Sequence, residues 1–410
     1  MRTMLCCKRI LSLVACLSFV GLFPWVFSAS AAPAEPIRIG FPSFFTGVGT
    51  PLSEDMFNGF NLCLKEVGNT VAGRKIEVIR EDTEGNPSVG LTKVRKLVEH
   101  DRVHILSGIL NSAVAYAVAD YVVQHEIPLI ITNAGADGLT QQKRNPYVFR
   151  TSFTDSQVSH PFGEWVYRKL GYHKLVTLGV DYSAGHEHVR GFQRTFKEAG
   201  GEIVQEFWTP MGTNDYAPYL SRIRSDVDAT FVFLFGSDAI RLIKQYREYG
   251  LKEKIPLLGK DITDEMILNQ IGDNAIGIIT AQCYSTALDT PANKAFMLAY
   301  KKAYGREPTF YAENGYTGAK VIIEALRAVK GNVEDKTGFL KALREVKLDD
   351  TPRGPIRFDP YQNVVCATYI RKVEKVGGQY QNTVIETIPN VSQFWKWSPE
   401  EYLKTTRYTR

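Results

Sequence analysis

The chain has 410 residues, 44% hydrophobic and 23% charged, enough apolar material for one large or two medium cored domains and too much for a disordered chain. Its formal charge of +5 falls to +2 when the first 31 residues, with three basic side chains and no acid, are set aside. So small a surplus argues against a nucleic-acid partner.

Residues 1–31 carry Arg2, Lys8 and Arg9, a mostly apolar run from Ile10 to Phe27, and small residues at Ala29-Ser30-Ala31. This is the make-up of a secretory signal, expected to be cleaved on export to the periplasm. The run is short for a membrane anchor and is interrupted by Gly21 and Pro24. It also continues past Cys16, which argues against lipidation at "LVAC". Cleavage leaves Cys63, Cys283 and Cys366. Cys63 shares one helix face with Met56, Phe60, Leu64 and Val67, which predicts a core position. Cys283 and Cys366 each sit in a strand-like run, and export permits a disulfide between them.

From residue 37 the pattern alternates. "IRIGF" reads as strand, 54–67 as helix, "KIEVIRED" as strand, 88–100 as helix, "RVHIL" as strand, 111–125 as helix and "PLIIT" as strand. After a joining segment at 145–160 the rhythm restarts: "KLVTLGV", helix 187–199, "GEIVQEFW", helix 215–225, "ATFVFLF", helix 238–249, "IPLLG", helix 264–271 and "GIITAQC". Beyond 285 come three helical stretches, then strands around 355 and at 365–374. The prediction is an α/β chain of two doubly wound lobes with parallel sheets.

Sites for chemistry are scarce. "TGVGTPL" at 46–52 begins like a dinucleotide fingerprint but has Leu52 where the third glycine belongs. In "HEH" at 186–188 the position four after His186 is Arg190, so the zinc-protease spacing is missing, and His186 and His188 are expected to be solvated or locally hydrogen-bonded. No GxSxG elbow, P-loop or CxxC is present, and the sequence calls for no cofactor or metal. An exported, two-lobed chain of this kind reads as a receptor and not an enzyme.

Ligands of open parallel sheets bind beyond the carboxyl ends of the strands. Leu110-Asn111-Ser112 and "TNAGADG" (132–138) fall at two such ends. A helix N-terminus there offers N–H groups and a dipole suited to a carboxylate, with Ser112 adding a hydroxyl; alternatively Asn111 or Ser112 only caps its own helix. Ala134-Gly135-Ala136 lets main chain approach a ligand with little side-chain obstruction.

Several stretches together resemble the type I periplasmic solute-binding proteins of the leucine/isoleucine/valine-binding family: residues 37–67, "RTSFTDS" (150–156), "TDEMILNQIGDNAIG" (263–277) and "RGPIRFDPYQN" (353–363). The resemblance implies two lobes on a three-strand hinge, an N-terminal lobe of 32–154 plus 285–361 and a C-terminal lobe and tail of 155–284 plus 362–410. It implies a monomeric receptor that closes on a small amphipathic carboxylate and works with the permease and ATPase subunits of an ABC importer. By position it places Ser112 on the ligand carboxylate, Ala134 as a main-chain contact and Asp155 as the interlobe acid. Asp261 stands where the family usually has a glutamate for the α-ammonium group, and Leu52, Tyr182, Phe235 and Tyr311 fall near the pocket walls. Ala136 replaces a threonine that helps hold the amine in amino-acid receptors, and Glu84 and Asn111 occupy a region where some members have a disulfide. The tail "NTVIETIPNVSQFWKWSPEEYL" is similar to a branch associated with aromatic carboxylates. The ligand is therefore expected to be a branched-chain or other hydrophobic amino acid, with an aromatic carboxylate of the benzoate or phenylpropanoid type as the alternative. A sensor or inactive enzyme relative is the rival from another class.

Overall fold

The computed structural model describes residues 35–405 and Tyr408; the signal expected at 1–31 lies outside them. Six strands make the first sheet: β1 (Ile37–Ser43), β2 (Thr70–Val71), β3 (Arg74–Asp82), β4 (Ile105–Gly108), β5 (Leu129–Ile131) and β6 (Val148–Arg150), in the order β2-β3-β1-β4-β5-β6. All are parallel except the short β2. Helices α1 (Thr50–Glu66), α2 (Pro87–Arg95) and α3 (Ser112–Gln124) make the crossovers. Pro51, in the first turn, starts α1 earlier than the expected residue 54. The stripe Met56, Phe60, Cys63 and Leu64 is buried as its spacing predicts.

After α4 (Asp155–Trp165) come β7 (Lys174–Val180), α5 (Ser183–Ala199), β8 (Glu202–Thr209), α6 (Ala217–Leu220), β9 (Ala229–Phe233), α7 (Gly236–Glu248), β10 (Leu257–Lys260), α8 (Glu265–Ile271) and β11 (Ile279–Gln282). Strands β7 to β11 are parallel. Helices α9 (Pro291–Tyr304), α10 (Phe310–Ala328) and α11 (Lys336–Glu345) follow, with α10 lying along α1 of the first layer. The chain then adds β12 (Lys347–Leu348), β13 (Ile356–Phe358), β14 (Val364–Val376) and β15 (Gln379–Val391) to the second sheet. That sheet runs β12-β13-β14-β11-β10-β9-β7-β8, with β15 antiparallel on β14. Helix α12 (Pro399–Thr405) ends the described tail.

Three expectations need correction. The segment 145–160, read as a joint, contains β6 and opens α4; apart from Glu164, α4 is buried on every side, so it carries no amphipathic stripe. The helix expected at 215–225 shrinks to four residues. Cys63, Cys283 and Cys366 are buried free thiols, so the disulfide that export permitted is not formed. Gln282 pairs with Tyr369, which leaves Cys366 off to one side of Cys283 along β14.

Two contacts fix the layout. The chain leaves the first sheet for the second after β6 and returns after β11 to pack α10 on α1, and Arg353, between β12 and β13, ties these two crossings together. Its buried guanidinium donates to the carbonyls of Thr151 (3.3 Å) and Ser152 (3.1 Å), to Cys283 Sγ (3.6 Å), to the Glu313 carboxylate and to the Asn314 side-chain oxygen. Elsewhere α1 and α10 meet backbone to backbone. A Cβ on Gly59 would lie 1.8 Å from the Ala312 carbonyl oxygen, and one on Gly315 1.9 Å from that of Met56.

Candidate ligand-binding site

The carboxyl ends of the two sheets face one another, so the segments leaving β1, β4, β5, β7, β9 and β10 line a shared cleft. Of the ten residues singled out in the sequence, Leu52, Ser112, Gly135, Asp155, Tyr182, Phe235, Asp261 and Tyr311 line it. Ala134 and Ala136 do not. They are buried behind it, the Ala134 N–H donating to the Ile109 carbonyl (3.0 Å) and the Ala136 carbonyl accepting from Arg150 (2.6 Å). Gly135 is required where it stands, because a Cβ there would lie 1.8 Å from Asp155 Oδ1.

Sequence reasoning missed Phe44, Phe153, Phe233, Phe310 and His188, which also line the space. Phe44 directly follows β1 and Phe310 precedes Tyr311, so an aromatic residue at a strand or helix end was the available signal. Seven aromatic side chains of this set form the walls. His188, expected to be solvated or locally hydrogen-bonded, is 2% exposed and lies 3.2 Å from Asp155. His186 is likewise buried, with Nε2 2.9 Å from Asp181 Oδ1.

At the start of α3 the capping question resolves in favour of Asn111, whose Oδ1 accepts from Ala113 N (2.8 Å) and Val114 N (3.2 Å). That consumes two N–H groups of the helix end. The Ser112 N–H has no acceptor among the described residues. Its hydroxyl lies 3.4 Å from Asp155 Oδ2, a long contact and a weak one.

Both acids of the cavity already have basic partners within the protein. Burial alone would raise Asp155, but the His188 imidazole beside it outweighs that and holds its carboxyl below the usual range. Asp261, in a left-handed conformation (φ 63°), accepts from the ammonium of Lys260 and from Gln282 Nε2 (2.8 Å). Lys260 is fully buried, with its ammonium over the rings of Phe153 (4.7 Å) and Phe310 (5.5 Å). The hydroxyls of Tyr182 and Tyr311 face no protein partner among the described residues. Burial, reinforced by nearby carboxylates, raises both well above the ordinary tyrosine value, so they remain protonated donors.

Behind the cavity, a carboxyl cluster joins the two layers. Glu187 of α5 accepts from the Asp137 N–H (3.0 Å) and from Tyr116 (3.4 Å), next to Arg150, Asp155 and His188. Burial, with Asp155 adding repulsion, pushes Asp137 up to about 7, and burial with Asp137 and Asp155 pushes Glu187 up as well. Carboxyls raised in the folded state bind protons that the unfolded chain has already lost. The stability they contribute is therefore complete below the ordinary carboxylate range and is lost as pH rises towards about 7. Thermal melts from pH 5 to 7.5 should show a falling midpoint, and Glu187→Gln should flatten that slope. An unchanged slope would mean that Glu187 is ionised in the fold.

The periplasmic binding protein family model matches residues 36–379. A protein of Brucella melitensis named Leu/Ile/Val-binding protein homolog 6 is 31% identical over 382 residues, covering 90% of this chain and 96% of its own. Among solved structures, an ABC transporter substrate-binding protein from Sphaerobacter thermophilus is 40% identical with a TM-score of 0.84, covering 87% of this chain and 99% of that one. A solute-binding protein of an ABC transporter from Rhodopseudomonas palustris, in complex with 3,4-dihydroxybenzoic acid, is 36% identical with a TM-score of 0.82, covering 87% and 98%.

Proposed function

The chain belongs to the type I periplasmic binding proteins, the extracytoplasmic solute receptors of ABC transporters, and from that premise we propose that it captures an aromatic carboxylate in preference to an α-amino acid. The observation that carries this reading is the pairing of Asp155 with His188 and of Asp261 with Lys260. A trapped α-ammonium group needs a carboxylate free to face it, because a buried cation without one is expensive. Here each of the two acids within reach already has a basic partner in the protein, so neither is free to face an ammonium group. The aromatic lining supplies edge and face contacts for a ring. The Ser112 N–H, at the positive end of α3, and the hydroxyls of Ser112, Tyr182 and Tyr311 are the donors for the ligand carboxylate. The aromatic acid bound by the Rhodopseudomonas palustris relative agrees with this choice.

The receptor acts as a monomer after removal of its signal, hands the ligand to permease and ATPase subunits, and closes by hinge rotation of its two lobes. A branched-chain amino acid is the second reading, favoured by the name of the Brucella melitensis relative. A thermal-shift panel of leucine, isoleucine, valine, phenylalanine, benzoate, 4-hydroxybenzoate and hydroxycinnamates separates the two. A ligand at about a hundred times its Kd should stabilise the fold by about 2.7 kcal/mol, and the aromatic acids should be the ones that do so. A panel in which only amino acids raise the midpoint would sink the aromatic reading.

A further inference from the structure

Where α5 meets the first layer, a carboxyl is buried with no base bonded to it. Glu187 is 1% exposed, and its two oxygens accept from the Asp137 N–H (3.0 Å) and the Tyr116 hydroxyl (3.4 Å), both neutral donors of the first layer. The two bases nearby are engaged elsewhere. Arg150 donates to the carbonyls of Gly135 (3.2 Å) and Ala136 (2.6 Å), and His188 lies against Asp155. Asp137 accepts from the Ser156 N–H through Oδ1 (3.1 Å), while its Oδ2 is buried with no hydrogen-bond partner among the described residues. A buried carboxyl with no cation against it is stable only when protonated.

The same cluster reaches the ligand site. Asp155, whose Oδ2 lies 3.4 Å from the Ser112 hydroxyl, faces Glu187 as well as His188. Carboxylates are acceptors only, so carboxyls that face one another need a proton between them. Asp137, Asp155 and Glu187 outnumber Arg150 and His188, three acids to two bases, and a ligand carboxylate at Ser112 adds a further negative group. Tyr182 on the cavity side, and Tyr402 and Tyr408 beyond Asp137, are neutral below the tyrosine range and offset none of it.

We infer that the receptor takes up a proton when it closes on its ligand, and that Glu187, on α5 of one lobe against Tyr116 and Asp137 of the other, is the group that holds it. This rests on the reading of the chain as a receptor that closes, and it holds for either ligand class. With the lobes apart, Glu187 meets water and gives up its proton in the ordinary carboxylate range. With the lobes together, burial and the neighbouring acids keep the proton in place. The closed form thus binds more protons than the open form at neutral pH. Affinity is therefore full below the ordinary carboxylate range and falls as pH rises from there to the raised value of the closed form, by up to about tenfold per pH unit.

Calorimetry of the mature full-length protein at pH 7 in phosphate, HEPES and imidazole buffers tests it. The probes are 4-hydroxybenzoate and leucine, whose carboxylates are already ionised there, and the change of observed heat with buffer ionisation enthalpy counts the protons bound. The wild type should take up at least about half a proton per ligand. Glu187→Gln, which keeps an acceptor for the Asp137 N–H, should take up none, and its affinity should be level from pH 6 to 8, whereas His188→Gln should still take up the proton. Wild-type binding without proton uptake would overturn the inference before any variant is made, as would uptake that persists in Glu187→Gln and so belongs to His188 or Asp137. Both of those outcomes leave the receptor reading standing. Heat with neither probe would instead remove the reading of the ligand and the inference with it.

Discussion

Arg353→Met should destabilise the protein by about 3–5 kcal/mol, the usual result of leaving one member of a buried ion pair alone. Glu313, fully buried, would lose its cation, and the carbonyls of Thr151 and Ser152 would lose their donor at the point where the crossings meet. Urea denaturation measures the loss as a lower midpoint. Adding Glu313→Gln should recover at least half of it, because removing both charges of a buried pair is often close to neutral. A loss below about 1 kcal/mol in the single variant would mean that the crossings are held by their own packing and not by this side chain.

The second large effect belongs to Lys260. Lys260→Met removes the buried cation that faces Asp261 and leaves a carboxylate in the cavity wall. The uncompensated Asp261 carboxylate repels an anionic ligand in the same cleft, so an aromatic acid should bind roughly ten- to a hundredfold more weakly at pH 8. The double variant Lys260→Met/Asp261→Asn should restore most of the affinity. An amino-acid ligand responds in the opposite direction, since the freed Asp261 becomes a partner for its ammonium group. Calorimetry of the single variant with one ligand of each class reads the sign directly. Equal weakening of both would show that Lys260 shapes the pocket through packing over Phe153 and Phe310 alone.

Much of the framework was legible because each crossover unit shows its own period: continuous apolar runs for buried parallel strands and stripes such as Met56, Phe60 and Cys63 for the helices. Strand ends then located the cavity, and eight of ten named residues line it. What failed to show depends on partners distant in the chain. Lys260 reads as a surface lysine at the end of a strand until Phe153 and Phe310, from two other segments, close over it. His188 looks solvated until Asp155 arrives from the start of α4. Helix α4 buries its polar residues Ser156, Gln157, Ser159 and His160 alongside its apolar ones and contains Pro161, so its sequence shows no solvent face by which to recognise it. β15 is largely half-buried or exposed and contains Pro389, so its pairing with β14 outweighs a sequence that argues weakly for a strand.

Gly59 and Gly315 make α1 and α10 a single stiff plate, since neither helix has a side chain at the contact that could yield. Leu52 rides on α1, and Phe310 and Tyr311 ride on α10, so this side of the cavity has its shape before any ligand arrives. The entropy lost on capture then falls mainly on the opposite rim, where Met211 is 48% exposed and Phe235 is only partly covered. Substitutions around Met211 should therefore change the dissociation rate of a bound ligand more than its association rate, as read by stopped-flow fluorescence.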